Sequence, residues 1–251
     1  MRFFTALTAV ALSSTLLFGC KSMSTEGLIH SGSTAMEGAT LTDEEVISMA
    51  DKSCAQMDAK AKIASPDSVY SKRLARIADN LGDEVDGTSI DYKVYLTDVP
   101  NAFAMANGCV RVYSGLMDMM NDNEVTAVLG HELGHVALGH VKSSMQTAYA
   151  AYAARSALAS SSNDKVAALS KSQLGDLGEK FINAQFSQSQ EAAADNFSFD
   201  LLGERGISRK GQITGLEKLA SLDGNAGGLL STHPASAERA ENMRERLNEE
   251  T

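Results

Sequence analysis

Tryptophan is absent from this 251-residue sequence, aromatic residues make up only 6%, and there are just three cysteines. So few aromatic faces leave no platform for stacking nucleic-acid bases. Cationic side chains are also scarce, 22 Lys and Arg against 32 Asp and Glu, giving a net charge of −10. A phosphate binder needs a basic stripe, so nucleic acid is excluded as a partner and the acidity reads as a solvated surface. A chain of this length buries a sizeable core without a disulfide scaffold. Its 43% hydrophobic content is that of a globular protein. No internal repeat is present, and the length fits one domain behind a removable N-terminus.

The one long apolar run lies at the start. Arg2 is followed by Phe3 to Phe18, interrupted only by small hydroxyl residues, and then by Gly19-Cys20. The run is too short for a bilayer-spanning helix, which needs about 20 apolar residues. It reads as a signal peptide over 1–19, and Leu17-Phe18-Gly19-Cys20 resembles a bacterial lipobox, in which the chain is cut before a cysteine that receives a lipid. Cys20 is thus the expected membrane anchor. Lys21, rather than an aspartate, leaves the outer membrane as the default destination, with the body facing the periplasm. Residues 20–40, rich in Ser, Gly, Thr and Met, read as a flexible lipidated tether, and 41–251 as the folded domain. The oxidising periplasm allows Cys54 and Cys109 to form a disulfide. Two separate buried thiols are the other reading, because Cα separation is not visible in sequence.

Along the domain, Thr42-Asp43-Glu44-Glu45 is a capping box that opens a helix with Val46, Met49, Cys54, Met57 and Ala61 at helical spacing. Ser65-Pro66 reads as the start of a second helix with the stripe Val69, Leu74, Ile77 and Leu81, stopped by Gly82. Ile90 to Leu96 alternate as a strand, Asn101 to Met105 form another, and Gly108 turns the chain into a third over 109–113. A short helix over 115–120 follows. Asn121-Asp122-Asn123-Glu124 is a second capping box before a long helix. The Ala/Ser-rich stretch 143–162 reads as a helical arm or lid, too polar to span a membrane. Further helices are predicted over 165–182 and 184–202, from Ser208 to Ala220, and from His233-Pro234 to about residue 249. The class is α+β, mostly helical, with one small sheet ahead of the long helix.

That long helix carries His131-Glu132-Leu133-Gly134-His135. Four helical residues turn about 400°, so the two imidazoles lie about 40° and ~6 Å apart. They can converge on one ion at about 2.0–2.1 Å, with Glu132 placed to take a proton from a metal-activated water. A hydrolytic zinc needs a third protein ligand. In a long zinc motif it would be a histidine six residues after His135, where Val141 stands. His140, five residues on, would lie about 140° from His135 on a continuing helix. It is read as structural, by capping or hydrogen bonding. Glu191-Ala192-Ala193-Ala194-Asp195 is the better source. Glu191 and Asp195 share a helix face, and the alanines permit close approach. Glu191 is expected to bind the metal and Asp195 to accept the free N–H of a ligand histidine.

These segments, with Thr232-His233-Pro234 and Arg239, resemble the Ste-type/HtpX-like zinc metallopeptidases over nearly the whole domain. The resemblance implies a zincin-like fold with one zinc held by His131, His135 and Glu191, and Glu132 as general base. It places His233 over the metal, either stabilising the tetrahedral intermediate or latching the metal at rest, with Arg239 holding the His233 loop or the substrate carbonyl. It also implies that Asn101, Ala102, Phe103 and Ala104 form an edge strand that pairs with an extended substrate. The expected substrates are unfolded or misassembled envelope polypeptides, and an outer-membrane protein is an expected partner. The rival readings are a chaperone-like lipoprotein with a latched or structural zinc, and a cell-wall amidase, for which aromatics to stack sugars are few.

Overall fold

The computed structural model describes residues 33, 35–36, 38–159, 186–222, 228–233 and 237–250. The signal segment, Cys20, the helix predicted over 165–182 and Pro234 lie outside the described residues. Residues 35–36 and 38–39, at the end of the expected tether, are helical, with Thr40 N–H donating to Met36 O at 2.9 Å. Gly38 packs there against Tyr149 so closely that an added Cβ would meet the Tyr149 Cβ at 2.3 Å.

Helix α1 spans Asp43–Lys60 and opens with the Thr42/Glu45 capping box. Helix α2 is Val69–Leu81. Its cap is Ser68, not Ser65: the 65–68 segment closes a turn, Ser68 N–H to Ser65 O, and the Ser68 hydroxyl then accepts from Ser71 N–H. Val69 lies in the first turn, about 140° round the axis from Leu74 and so off the Leu74, Ile77 and Leu81 stripe, and it is 77% exposed. A small hairpin, β1 (Glu84–Val85) and β2 (Thr88–Ser89), turns through Asp86 and Gly87, both at positive φ.

Strands β3 (Asp91–Tyr95), β4 (Ala102–Ala104) and β5 (Cys109–Tyr113) form a three-stranded sheet in the order β3-β5-β4, parallel between β3 and β5 and antiparallel between β4 and β5. Side chains alternate across a strand, and here both faces are covered. Val94, Ala102, Val110 and Val112 join the main core with α2 and the helices that follow. Tyr95, Phe103 and Cys109 turn to α1, where Ala50 and Cys54 meet them. Cys54 and Cys109 are joined by a disulfide, with Cα atoms 6.4 Å apart. Helices α3 (Ser114–Met119), α4 (Asp122–Ala137) and α5 (His140–Ala159) follow, then α6 (Gln188–Glu204), α7 (Lys210–Ala220), α8 (Leu229–Thr232) and α9 (Ala237–Glu249). Helix α7 begins after Arg209, so Ser208 precedes its cap position. The short α8 had no counterpart in the sequence reading. Among the described residues no helix is long and apolar enough to cross a membrane.

The α1 side of the sheet also holds a buried ion cluster. Arg111 has 1% side-chain exposure and donates from Nε and Nη2 to the two oxygens of Asp58 at 2.8 and 2.9 Å. Lys93 Nζ and Tyr95 OH reach the same carboxylate at 2.8 and 2.6 Å. Burial alone would raise the Asp58 pKa, but the hydrogen bonds from Arg111, Lys93 and Tyr95 outweigh it and hold the group below its ordinary 3.8. A depressed carboxylate stabilises the fold fully above its unfolded pKa and loses that contribution as pH falls through the folded value. Asp58→Asn is therefore expected to cost about 3 kcal/mol at pH 6, as for a broken buried pair. The gap to wild type should narrow once the pH drops below 3.8. Melting curves from pH 6 to pH 2 test this, and a gap independent of pH refutes the assignment.

Candidate metal centre

Helix α4 positions the centre. Its Asn121/Glu124 capping box fixes where the helix starts, with Asn121 Oδ1 accepting from Glu124 N–H at 3.0 Å and Glu124 Oε2 accepting from Asn121 N–H at 2.9 Å. Every residue from Glu124 to His135 is buried, so the two histidines cannot be solvent-facing. At i and i+4 their Nε2 atoms come within 3.0 Å of each other. Helix α6 lies against this face because α4 offers glycines there. A Cβ on Gly134 would meet Ala194 Cα and O at 3.1 Å, and one on Gly130 would meet Ser198 Oγ at 2.7 Å. The Ser187/Gln190 capping box starts α6 so that Glu191 falls in its first turn.

Glu191 Oε2 is 3.4 Å from His131 Nε2, and its Oε1 is 3.5 Å from His135 Nε2. His233, the C-cap of α8, closes the group from a third side, with Nδ1 2.9 Å from Glu191 Oε1 and 3.2 Å from His131 Nε2. One ligand atom from each of His131, His135, Glu191 and His233 lies within 4.8 Å of the others, and all four residues are buried. The sequence reading counted three ligands and set His233 above them; the structure brings all four together.

These residues fit a zinc ion. His131 Nδ1 lies 2.9 Å from Asp195 Oδ1; with the proton there, the lone pair of Nε2 faces the cluster. His135 presents Nε2 to the same point, so nitrogen lone pairs and a carboxylate converge where only a cation satisfies them. Three imidazoles and a carboxylate are a zinc-type donor set.

The side chains alone make the same demand in their proton balance. Burial works against charge on His131, yet its bonds to Asp195 and Glu191 prevail and lift its pKa to about 9. Burial pushes His135 down to about 2. Burial would raise Glu191 and Asp195, but bonds from His131, His135 and His233 to Glu191, and from Arg239 and His131 to Asp195, hold both below the usual carboxylate range.

Glu132, 2% exposed, is the exception among the carboxylates: burial raises its pKa despite the nearby His233 and His131. Its Oε2 accepts from Ala104 N–H in β4 at 3.2 Å, while Oε1 is buried without a hydrogen-bond partner, His233 Nε2 standing 3.5 Å away. Strand β4 is an edge of its sheet, and the predicted ledge from Asn101 to Ala104 thus runs past the Glu132 carboxylate. Arg239 makes contacts that the sequence reading did not include. Nη1 lies 2.7 Å from Glu191 Oε2, and Nε and Nη2 each lie 2.7 Å from an Asp195 oxygen, so it is held by two carboxylates behind the cluster.

Phe186 was missed by the sequence reading. Its ring stacks on His135 with centroids 3.8 Å apart, and no periodic or motif signal marks it. His140 stands on the far side of His135 from the cluster, with Nδ1 2.9 Å from His135 Nδ1.

A buried zinc site beside a carboxylate of raised pKa is the equipment of a zinc-dependent metalloendopeptidase, and known proteins point to the same class. Residues 69–247 match the model of peptidase family M48, and the chain belongs to that family. It is 54% identical over 241 residues to metalloprotease LoiP of Escherichia coli (strain K12), covering 95% of each chain. It is 51% identical over 245 residues to metalloprotease YcaL of the same organism, covering 96% of each. A more distant relative is the beta-barrel assembly-enhancing protease of Yersinia pestis, 27% identical over 265 residues that cover 96% of this chain and 53% of that protein.

Proposed function

We propose that this zinc endopeptidase is anchored by lipid on Cys20 to the outer membrane, faces the periplasm, and hydrolyses unfolded or misassembled envelope proteins. The observation that carries the reading is the position of Glu132, between the Ala104 N–H of an edge strand and the four-donor cluster. The name of the Yersinia relative, which ties that protein to β-barrel assembly, supports an outer-membrane partner.

In this reading His131, His135 and Glu191 hold the metal. Bound zinc supplies Lewis acidity that polarises a carbonyl and brings a water's pKa to about 7. Glu132 takes the proton of the attacking water and delivers it to the leaving amide nitrogen; a buried carboxylate of raised pKa suits that shuttle. Asn101 O and Met105 N–H bond to β5, so the alternation of an antiparallel ladder turns the polar groups of Ala102 and Ala104 to the open edge. An extended substrate adds there through its backbone, which favours unfolded chains over any one sequence. It displaces Glu132 from Ala104 N–H as it enters, freeing the base where it is needed. His233 would either close the donor set as a latch at rest, to be released when substrate enters, or stabilise the oxyanion of the tetrahedral intermediate.

The presence of His233 among the donors also favours a second reading, a polypeptide-holding lipoprotein whose zinc stays capped. Incubating the zinc-loaded chain with unfolded casein separates the two. Cleavage that a chelator stops, and that His233→Ala accelerates, supports the latched peptidase. Zinc bound with no cleavage by either form supports the holding protein. Labelled palmitate fed to the cells should be incorporated into the wild-type chain and not into Cys20→Ser, and equal labelling of the two removes the lipid anchor from the reading.

A further inference from the structure

We infer that His140 is a positioning residue for the metal centre: it accepts the Nδ1 proton of His135 and so locks that ligand in the tautomer whose Nε2 lone pair faces the zinc. The inference rests on the zinc reading of the cluster.

A neutral imidazole has one N–H and one lone pair. For His135 to ligate through Nε2, its proton must sit on Nδ1 and needs an acceptor, because a buried unpaired N–H is costly. The atom facing it is His140 Nδ1 at 2.9 Å. Two protons cannot occupy that gap, so His140 carries its own proton on Nε2. The other ligand histidine, His131, has the usual carboxylate behind it in Asp195. His135 is backed by a neutral imidazole instead. His140 is 8% exposed, and its ring centroid lies 4.9 Å from that of His135. Phe186 stacks on the same His135 ring at 3.8 Å. One neighbour thus sets the plane of the ring and the other its proton.

The fold is built to make this contact. On a continuous helix His140 would lie about 140° round the axis from His135. The chain instead ends α4 at Ala137, passes Gly139 at φ 63°, a left-handed conformation suited to glycine, and starts α5 at His140 itself. That break swings the residue back under the ring it serves.

The test compares His140→Phe, which keeps a ring but removes the acceptor, with His140→Asn, whose Oδ1 can take the place of Nδ1. Zinc affinity of the full chain is read by competition with a chelating dye, alongside melting of the metal-free proteins. Loss of a partner behind a metal-bound histidine lowers metal affinity about 10–100-fold. His140→Phe should fall by that factor, His140→Asn should stay close to wild type, and the metal-free melting temperatures should not follow that order. Long-range ¹H–¹⁵N spectra of the zinc-loaded wild type should show His135 protonated at Nδ1 and His140 at Nε2, a readout independent of how the variants fold. His140 protonated at Nδ1, or equal zinc affinity in wild type and His140→Phe, overturns the inference while leaving the zinc site intact. A wild type that holds no zinc overturns both.

Discussion

Glu132→Gln is expected to lower kcat by about a thousandfold, within the 10²–10⁴ that a positioned acid–base group contributes, while the zinc content of the protein stays unchanged. Glutamine has the same shape, and its amide oxygen can keep the Ala104 N–H that Glu132 Oε2 accepts at 3.2 Å. What it cannot do is carry a proton. The effect on stability should run opposite to the effect on rate. The Glu132 pKa is raised chiefly by burial, so the ionised group is disfavoured in the folded state at neutral pH, and that cost shrinks as pH falls and the carboxyl protonates. The neutral glutamine removes it, and the variant should melt no lower than wild type, a trade-off usual for catalytic groups. Parallel measurement of kcat, zinc content and melting temperature checks all three. A variant that cleaves as fast as wild type rules out Glu132 as the base.

The part of this centre legible in the sequence is the part whose geometry is local. His131, Glu132 and His135 share one helical turn, so the helix alone fixes their relation. The capping boxes at Thr42 and Asn121 were equally readable, since both partners lie within four residues and need no tertiary contact. The strands over 102–104 and 109–113 were legible from the turn residues around them. What failed, failed where two local signals compete or where the partner is remote. Ser65-Pro66 and Ser68 are both plausible caps, and the turn through Ser65 O gave the position to Ser68. The β1–β2 hairpin carried a readable Asp86-Gly87 turn, but its two-residue strands are too short to show alternation. Gly130 and Gly134 look like weak points of a helix until Ser198 and Ala194 are seen pressed against them. The separation of His140 from His135 was correct for an unbroken helix, and Gly139 breaks it. The role of Arg239 depends on carboxylates contributed by another helix, which no spacing within α9 reveals.

Arg239→Met is expected to cost the metal-free protein about 3–5 kcal/mol, the penalty for leaving buried charge without its partner. The arginine side chain is 12% exposed and lies 2.7 Å from Glu191 and from Asp195, both almost fully buried. Without it, Glu191 and Asp195 lose their shared guanidinium and face each other across the His131 ring. A bound divalent ion neutralises Glu191 from the other side, so the zinc-loaded form should lose less. Because a ligand stabilises by its preference for the folded state, the rise in melting temperature on adding zinc should be larger in the variant than in wild type. Arg239→Lys should rescue little, since one ammonium cannot span two carboxylates as a planar guanidinium does. A residue that polarised the substrate carbonyl would behave otherwise: kcat would fall while melting with and without zinc stayed as in wild type. That outcome would return Arg239 to the substrate side of the centre, whereas a larger zinc-dependent shift establishes it as the counter-charge that lets a ligand and its neighbour remain ionised inside the protein before the metal arrives.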